Sequence, residues 1–174
     1  MNSCLAAIDS EILNCRMSAE SFKQFSLPSA HIHYATFFRY AIPEFVQENR
    51  VLYLDCDMIF TQDLSPLFEV NLGGFGIGAV VDRPTTTDGF NAGLMVIDTD
   101  WWRQHKVTES LFELTKEHHQ NVYGDQGILN LYFKDAWHQL PWTYNLQVGS
   151  DKDQYRYGDL DWYDAFKKLH KKVS

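Results

Sequence analysis

Val51, Leu52, Tyr53 and Leu54 run directly into Asp55-Cys56-Asp57. Four consecutive apolar residues predict a buried strand, and two carboxylates stand where that strand runs out. In an extended chain residues two apart project to the same side, so Asp55 and Asp57 are expected to converge. Open α/β sheets collect ligands just outside the carboxyl ends of their strands. Carboxylates converging there repel each other unless a proton or a cation lies between them. Oxygen donors of this kind suit Mg²⁺ or Mn²⁺, which points to metal-bound phosphate chemistry. Asp is also common in turns after strands, so the spacing alone leaves a structural role open and the rest of the chain has to decide.

A length of 174 residues is enough for one domain with a substantial core. A formal charge of −8 argues against a general nucleic-acid binder, which carries basic stripes. The one basic run, residues 167–172, reads as a solvated helix face or tail. Cys4, Cys15 and Cys56 show no paired spacing and read as free thiols of a reducing compartment, the cytoplasm. Met1 is followed by polar Asn2 and Ser3, so no signal peptide is expected. No apolar run approaches the roughly 20 residues needed to span a bilayer, so no transmembrane segment is expected and any membrane association would be peripheral.

Along the chain, residues 1–9 read as the tail of a helix and residues 11–17 as a short strand. Ser29 can cap a helix whose apolar period runs until Pro43 stops it. After the strand at 51–54, Ser65-Pro66 starts a short helical turn. Residues 73–82 and 90–98 are further buried-strand candidates, each ending in a carboxylate. Asp100 is expected to cap a helix over 101–120 that breaks near Lys106, and Asp125 opens another helix through Phe133. A short strand at 137–140 and an amphipathic helix at 160–169 complete the chain. Strands alternating with helices predict a single α/β domain, residues 1–174, with a mixed, mostly parallel sheet flanked by helices.

The residues able to carry chemistry are Arg39, Asp55, Asp57, Asp82, Asn91, Asp125 and Gln126. They lie in four segments: residues 31–39 (HIHYATFFR), 51–57 (VLYLDCD), 90–98 (FNAGLMVID) and 124–130 (GDQGILN). On these segments, and in this order, the chain resembles the retaining sugar-nucleotide glycosyltransferases of family 8, the group of lipopolysaccharide glucosyl- and galactosyltransferases and glycogenin. The resemblance covers about residues 11–150 and implies a partial GT-A fold. It implies transfer of glucose or galactose, with retention of configuration, from a UDP-sugar to a glycan or glycolipid acceptor. Asp55 and Asp57 would then match the metal-binding Asp-x-Asp that holds Mn²⁺ (or Mg²⁺) against the diphosphate, as Lewis-acid assistance to the leaving group. Arg39 would match an arginine near the donor sugar, the alternative being a surface ion pair. Asp82 and Asn91 would match positions that bind donor-sugar hydroxyls, the alternative being strand-end turns. Asp125 and Gln126 would match the pair beside the anomeric carbon, with a helix N-cap as a further role for Asp125.

Two features depart from the family. The first strand and loop that hold the uridine have no counterpart here, and neither has the histidine-bearing C-terminal segment that supplies a third metal ligand. The chain therefore reads as a transferase domain truncated at both ends, with weak or no activity alone. A second class of reading follows: a non-catalytic or split module completed by a partner, with a homodimer as one form. A third reading is a haloacid-dehalogenase-type phosphatase, in which Asp55 would be the nucleophile. It requires Thr or Val where Ile59 stands and leaves residues 90–98 unexplained. His118-His119, Trp101-Trp102 and the glycines at 73–78 read as solvated face, packing and strand entry, respectively.

Overall fold

The computed structural model describes residues 14–16, 18, 34–82, 89–118 and 124–147, and the backbone of two short strands within 156–161. One sheet is built from β1 (Arg50–Leu54), β2 (Ile77–Val81), β3 (Phe90–Asp98) and β4 (His138–Gln139), in the order β1-β3-β2-β4. β3 is antiparallel to both β1 and β2, and β2 is parallel to β4. Three strands therefore share one direction, as expected for an α/β chain. The reversed strand lies between two of them, so two of the three pairings are antiparallel. Residues 82–89 are too few for the crossover that a parallel neighbour would require, so β3 returns beside β2.

Both faces of the sheet are covered. Tyr53, Val51, Ala79, Ile77, Met95 and Ile97 face one core with Trp102, Leu111, Leu129 and Phe133 of the helical layer. Leu52, Leu54, Val80, Leu94 and Val96 face a second core with Leu67, Leu72 and Leu140. This alternation explains the apolar runs at the centres of the strands: successive residues there are inward for one core and then the other. The helical layer comprises a 3-10 helix over Tyr34–Ala41, α1 (Ile42–Phe45), α2 (Thr99–Gln104), α3 (Val107–His118) and α4 (Gly124–Tyr132). Trp102, almost fully buried, donates from Nε1 to Gly76 O at 2.9 Å, which seats α2 on the start of β2.

Several expectations are corrected. Pro43 does not end the helix before it. It sits at the first turn of α1, where its missing N–H costs nothing, and the chain passes from 3-10 into α geometry at that point. The second strand begins at Ile77 rather than 73, because Gly73 and Gly74 take positive φ in a turn. Asp98, not Asp100, caps α2: its Oδ1 accepts from Trp101 N at 2.8 Å, while Asp100 lies in the first turn and pairs with Arg103. The expected break at Lys106 is present, with φ of 52° at that residue separating α2 from α3. Leu160–Asp161 is not helical. It forms β6, paired antiparallel with β5 (Arg156–Tyr157), and hydrogen bonding to a neighbouring strand overrides the local helical period. The readings for residues 1–9, Ser29 and 162–169 lie outside the described residues, and 14–16 carry no regular structure.

Exchanging the cap tests this assignment. Asp98→Ala is expected to cost about 1 kcal/mol of stability, and Asp100→Ala no more than about 0.5 kcal/mol, as read by urea unfolding.

Candidate functional site

The site grows from an irregularity in β3. Ala79 faces Met95 but the next residue, Val80, faces Asn91, so Ala92, Gly93 and Leu94 have no partner on β2. On the other side Leu94 still pairs with Leu54, and Gly93 O accepts from Asp55 N at 2.8 Å. Ala92 is left to be served by side chains. Its N–H donates to Gln126 Oε1 at 3.0 Å, and its carbonyl accepts from Arg39 Nη1 at 2.8 Å. Only glycine fits at position 93, since a Cβ there would stand 2.9 Å from Asn91 Oδ1 and 3.0 Å from Asp55 Oδ2.

Arg39 leaves the 3-10 helix and is only 8% exposed, so the surface ion pair is excluded. Its Nε donates to Thr36 O at 3.0 Å and lies 2.9 Å from Asp125 Oδ2. That second contact is an ion pair rather than an aligned hydrogen bond, because the carboxylate oxygen meets the N–H off axis. Nη2 reaches Asp55 Oδ1 at 3.4 Å, and the guanidinium carbon lies 4.5 Å over the Tyr53 ring.

Asp125 sits in the first turn of α4, after Gly124 with φ of 65°, and its carboxylate faces Arg39. Burial raises its pKa above the ordinary carboxylate value, opposed by the Arg39 charge. Gln126 points back to the sheet: Nε2 donates to Asp82 Oδ2 at 3.0 Å. Asp82 Oδ1 accepts from Asn91 Nδ2 at 3.4 Å, and Asn91 Oδ1 accepts from Gly93 N at 2.9 Å. Arg39, Asp55, Asp82, Asn91, Asp125 and Gln126 thus form one connected network.

Asp57 stands apart. The strand ends at Leu54 and the chain turns at Cys56-Asp57, so the extended-chain convergence of Asp55 and Asp57 does not apply. Asp57 is exposed, and among the described residues no group of three or more His, Cys, Asp or Glu is placed to hold a metal. Asp55 Oδ1 is taken by Tyr53 and Arg39, whereas Oδ2 lies beside Gly93 on a side chain that is 37% exposed. One or two carboxylate oxygens of this kind fit an ion that completes its shell with phosphate oxygens and water.

Three residues that sequence reasoning missed hold the network. Tyr53 donates to Asp55 Oδ1 at 2.6 Å; it lies two residues earlier on the same face, so the spacing rule applied to Asp57 would have found it. Asn130 fastens α4 to β3, accepting from Phe90 N at 2.7 Å and donating to Phe90 O at 2.8 Å. Buried Asn145 donates to Asn91 Oδ1 at 2.8 Å, and nothing in its local sequence marks it.

The architecture is that of the GT-A glycosyltransferases. It superposes on the galactosyltransferase LgtC, solved with donor and acceptor sugar analogues, with a TM-score of 0.65 at 28% identity, covering 85% of this chain and 59% of that one. It matches the glycosyltransferase GlyE of Streptococcus pneumoniae TIGR4 with a TM-score of 0.63 at 41% identity, covering 78% of this chain and 32% of that one. The model of glycosyl transferase family 8 matches residues 2–170, and the chain belongs to that family. The Streptococcus pneumoniae glycosyltransferase GlyB is 43% identical over 168 residues, which are 94% of this chain and 41% of GlyB. The chain thus spans less than half the length of GlyB.

The buried ion pair carries a pH signature. Arg39→Ala leaves the Asp125 carboxylate buried without its counter-charge, at an expected cost of about 3–5 kcal/mol at pH 7. The folded pKa of Asp125 is raised, and further so in the variant, so protonation favours the folded state. The deficit should therefore shrink as pH falls into the carboxylate range, measured by urea unfolding at pH 7 and near pH 5.

Proposed function

We propose that these residues are the donor site of a retaining hexosyltransferase that uses a UDP-sugar and a divalent ion, and passes glucose or galactose to a glycan or glycolipid acceptor. One observation carries the reading: Arg39, Asp55, Asp82, Asn91, Asp125 and Gln126 meet at the irregular corner of β3 beside the end of β1. Asp55 and Asp57 would hold Mn²⁺ or Mg²⁺, and the ion when bound supplies Lewis-acid stabilisation of the departing diphosphate.

The chain's own residues have separable tasks. Arg39, with contacts to Thr36, Ala92, Asp55 and Asp125, places the two carboxylates on which the donor would rest. Asp82 and Asn91 present oxygens suited to sugar hydroxyls. Asp125 and Gln126 would supply the group that a retaining enzyme needs against the face opposite the leaving group. Gln126 Oε1 is bound to Ala92 N and Nε2 to Asp82, and Asp125 is paired with Arg39. Groups engaged in this way shield and orient that face more readily than they attack it, which favours a same-face, ion-pair-like route over a covalent intermediate.

Calorimetric titration with UDP and Mn²⁺ tests the reading. Manganese-dependent UDP binding is expected, and Asp55→Ala and Asp57→Ala should each weaken it by at least about tenfold. Binding that is indifferent to Mn²⁺ and to both substitutions would sink the proposal.

A further inference from the structure

Asp55 is asymmetric. Its Oδ1 accepts from Tyr53 Oη at 2.6 Å and lies 3.4 Å from Arg39 Nη2, while its backbone N–H is tied to Gly93 O at 2.8 Å. Its Oδ2 lies against Gly93, where a Cβ would stand only 3.0 Å away, and the side chain is 37% exposed. The carboxylate is thus held by one oxygen and offered by the other. Tyr53 belongs to the strand itself: it pairs with Met95 across β1 and β3, its ring packs against the helix-side core, and Arg39 lies over its face.

We infer that Tyr53 is a positioning residue for the metal site, its hydroxyl orienting Asp55 so that Oδ2 is the oxygen presented to the ion. The inference rests on the proposed function above. A carboxylate free to rotate would divide its time between orientations that can and cannot bind. Hydrogen bonds that orient a metal ligand are worth about 10–100-fold in metal affinity. Loss of orientation then outweighs the small gain in carboxylate basicity when the donor is removed.

Tyr53→Phe isolates the hydroxyl, because the ring, its packing and its contact with Arg39 are kept. Mn²⁺ binding is followed on the whole chain by the electron paramagnetic resonance of the free ion, with and without UDP, beside thermal melting. Tyr53→Phe should melt near the unaltered chain and bind Mn²⁺ about tenfold more weakly. As a second variant, 3-fluorotyrosine at position 53 keeps the ring and the orienting hydroxyl; Mn²⁺ affinity near that of the unaltered chain supports the inference, and a loss as large as that of Tyr53→Phe overturns it. Loss of Mn²⁺ binding in Asp55→Ala together with unaltered affinity in Tyr53→Phe overturns this inference alone. Full Mn²⁺ binding by Asp55→Ala overturns the proposed function, and this inference with it.

Discussion

The guanidinium of Arg39 is the point on which the site depends. Removing a cation and a carboxylate from water costs several kcal/mol per ion, and close pairing repays it only when the remaining donors are matched. Here they are matched by groups from separate parts of the chain: Thr36 O on its own helix, Ala92 O on β3, Asp55 after β1 and Asp125 on α4. Four segments distant in sequence are therefore brought to register by one side chain. Burial raises the pKa of the Asp125 carboxylate, and the charge of that neighbour opposes the rise. Tyr40 adds a second tie, donating to Asp125 O at 3.2 Å while its own carbonyl accepts from Thr108 Oγ1 at 2.7 Å.

A sheet buried on both faces supplies the rigid ground for this arrangement. Alternate residues of β1 enter opposite cores, so Tyr53 and then Asp55 emerge on the helix side, where Arg39 waits. Had Asp55 followed Leu54 in phase with the other core, it would have met Leu67 and Leu140 rather than a cation. The two-residue period of a strand thus decides which carboxylate becomes part of the network. The same period explains the division between the two aspartates: it holds through Asp55 and is lost at the turn that carries Asp57.

Much of this was legible in the residues. Apolar runs at 51–54 and 94–97 located β1 and the centre of β3, and the break near Lys106 was also expected. The candidate residues were legible as chemical types at the ends of those elements. What the chain did not disclose were relations set by three-dimensional pairing. The reversal of β3 depends on a short connection, the bulge at Ala92 depends on two neighbours with different registers, and the strand at Leu160–Asp161 depends on partners three and five residues away. Asp98 rather than Asp100 became the cap because the strand ends one residue before α2 begins. Asn145 has no periodic context at all, and only the fold brings it to Asn91.

The clasp at Ala92 has a consequence for how such a site would answer to mutagenesis. Gln126 and Arg39 take hold of an amide hydrogen and a carbonyl oxygen, atoms that every residue other than proline carries. Side-chain scanning at position 92 would therefore report only how much volume the core accepts there. The information that places two functional side chains is written in main-chain atoms. An amide-to-ester replacement could read it; a change of amino acid, proline excepted, could not.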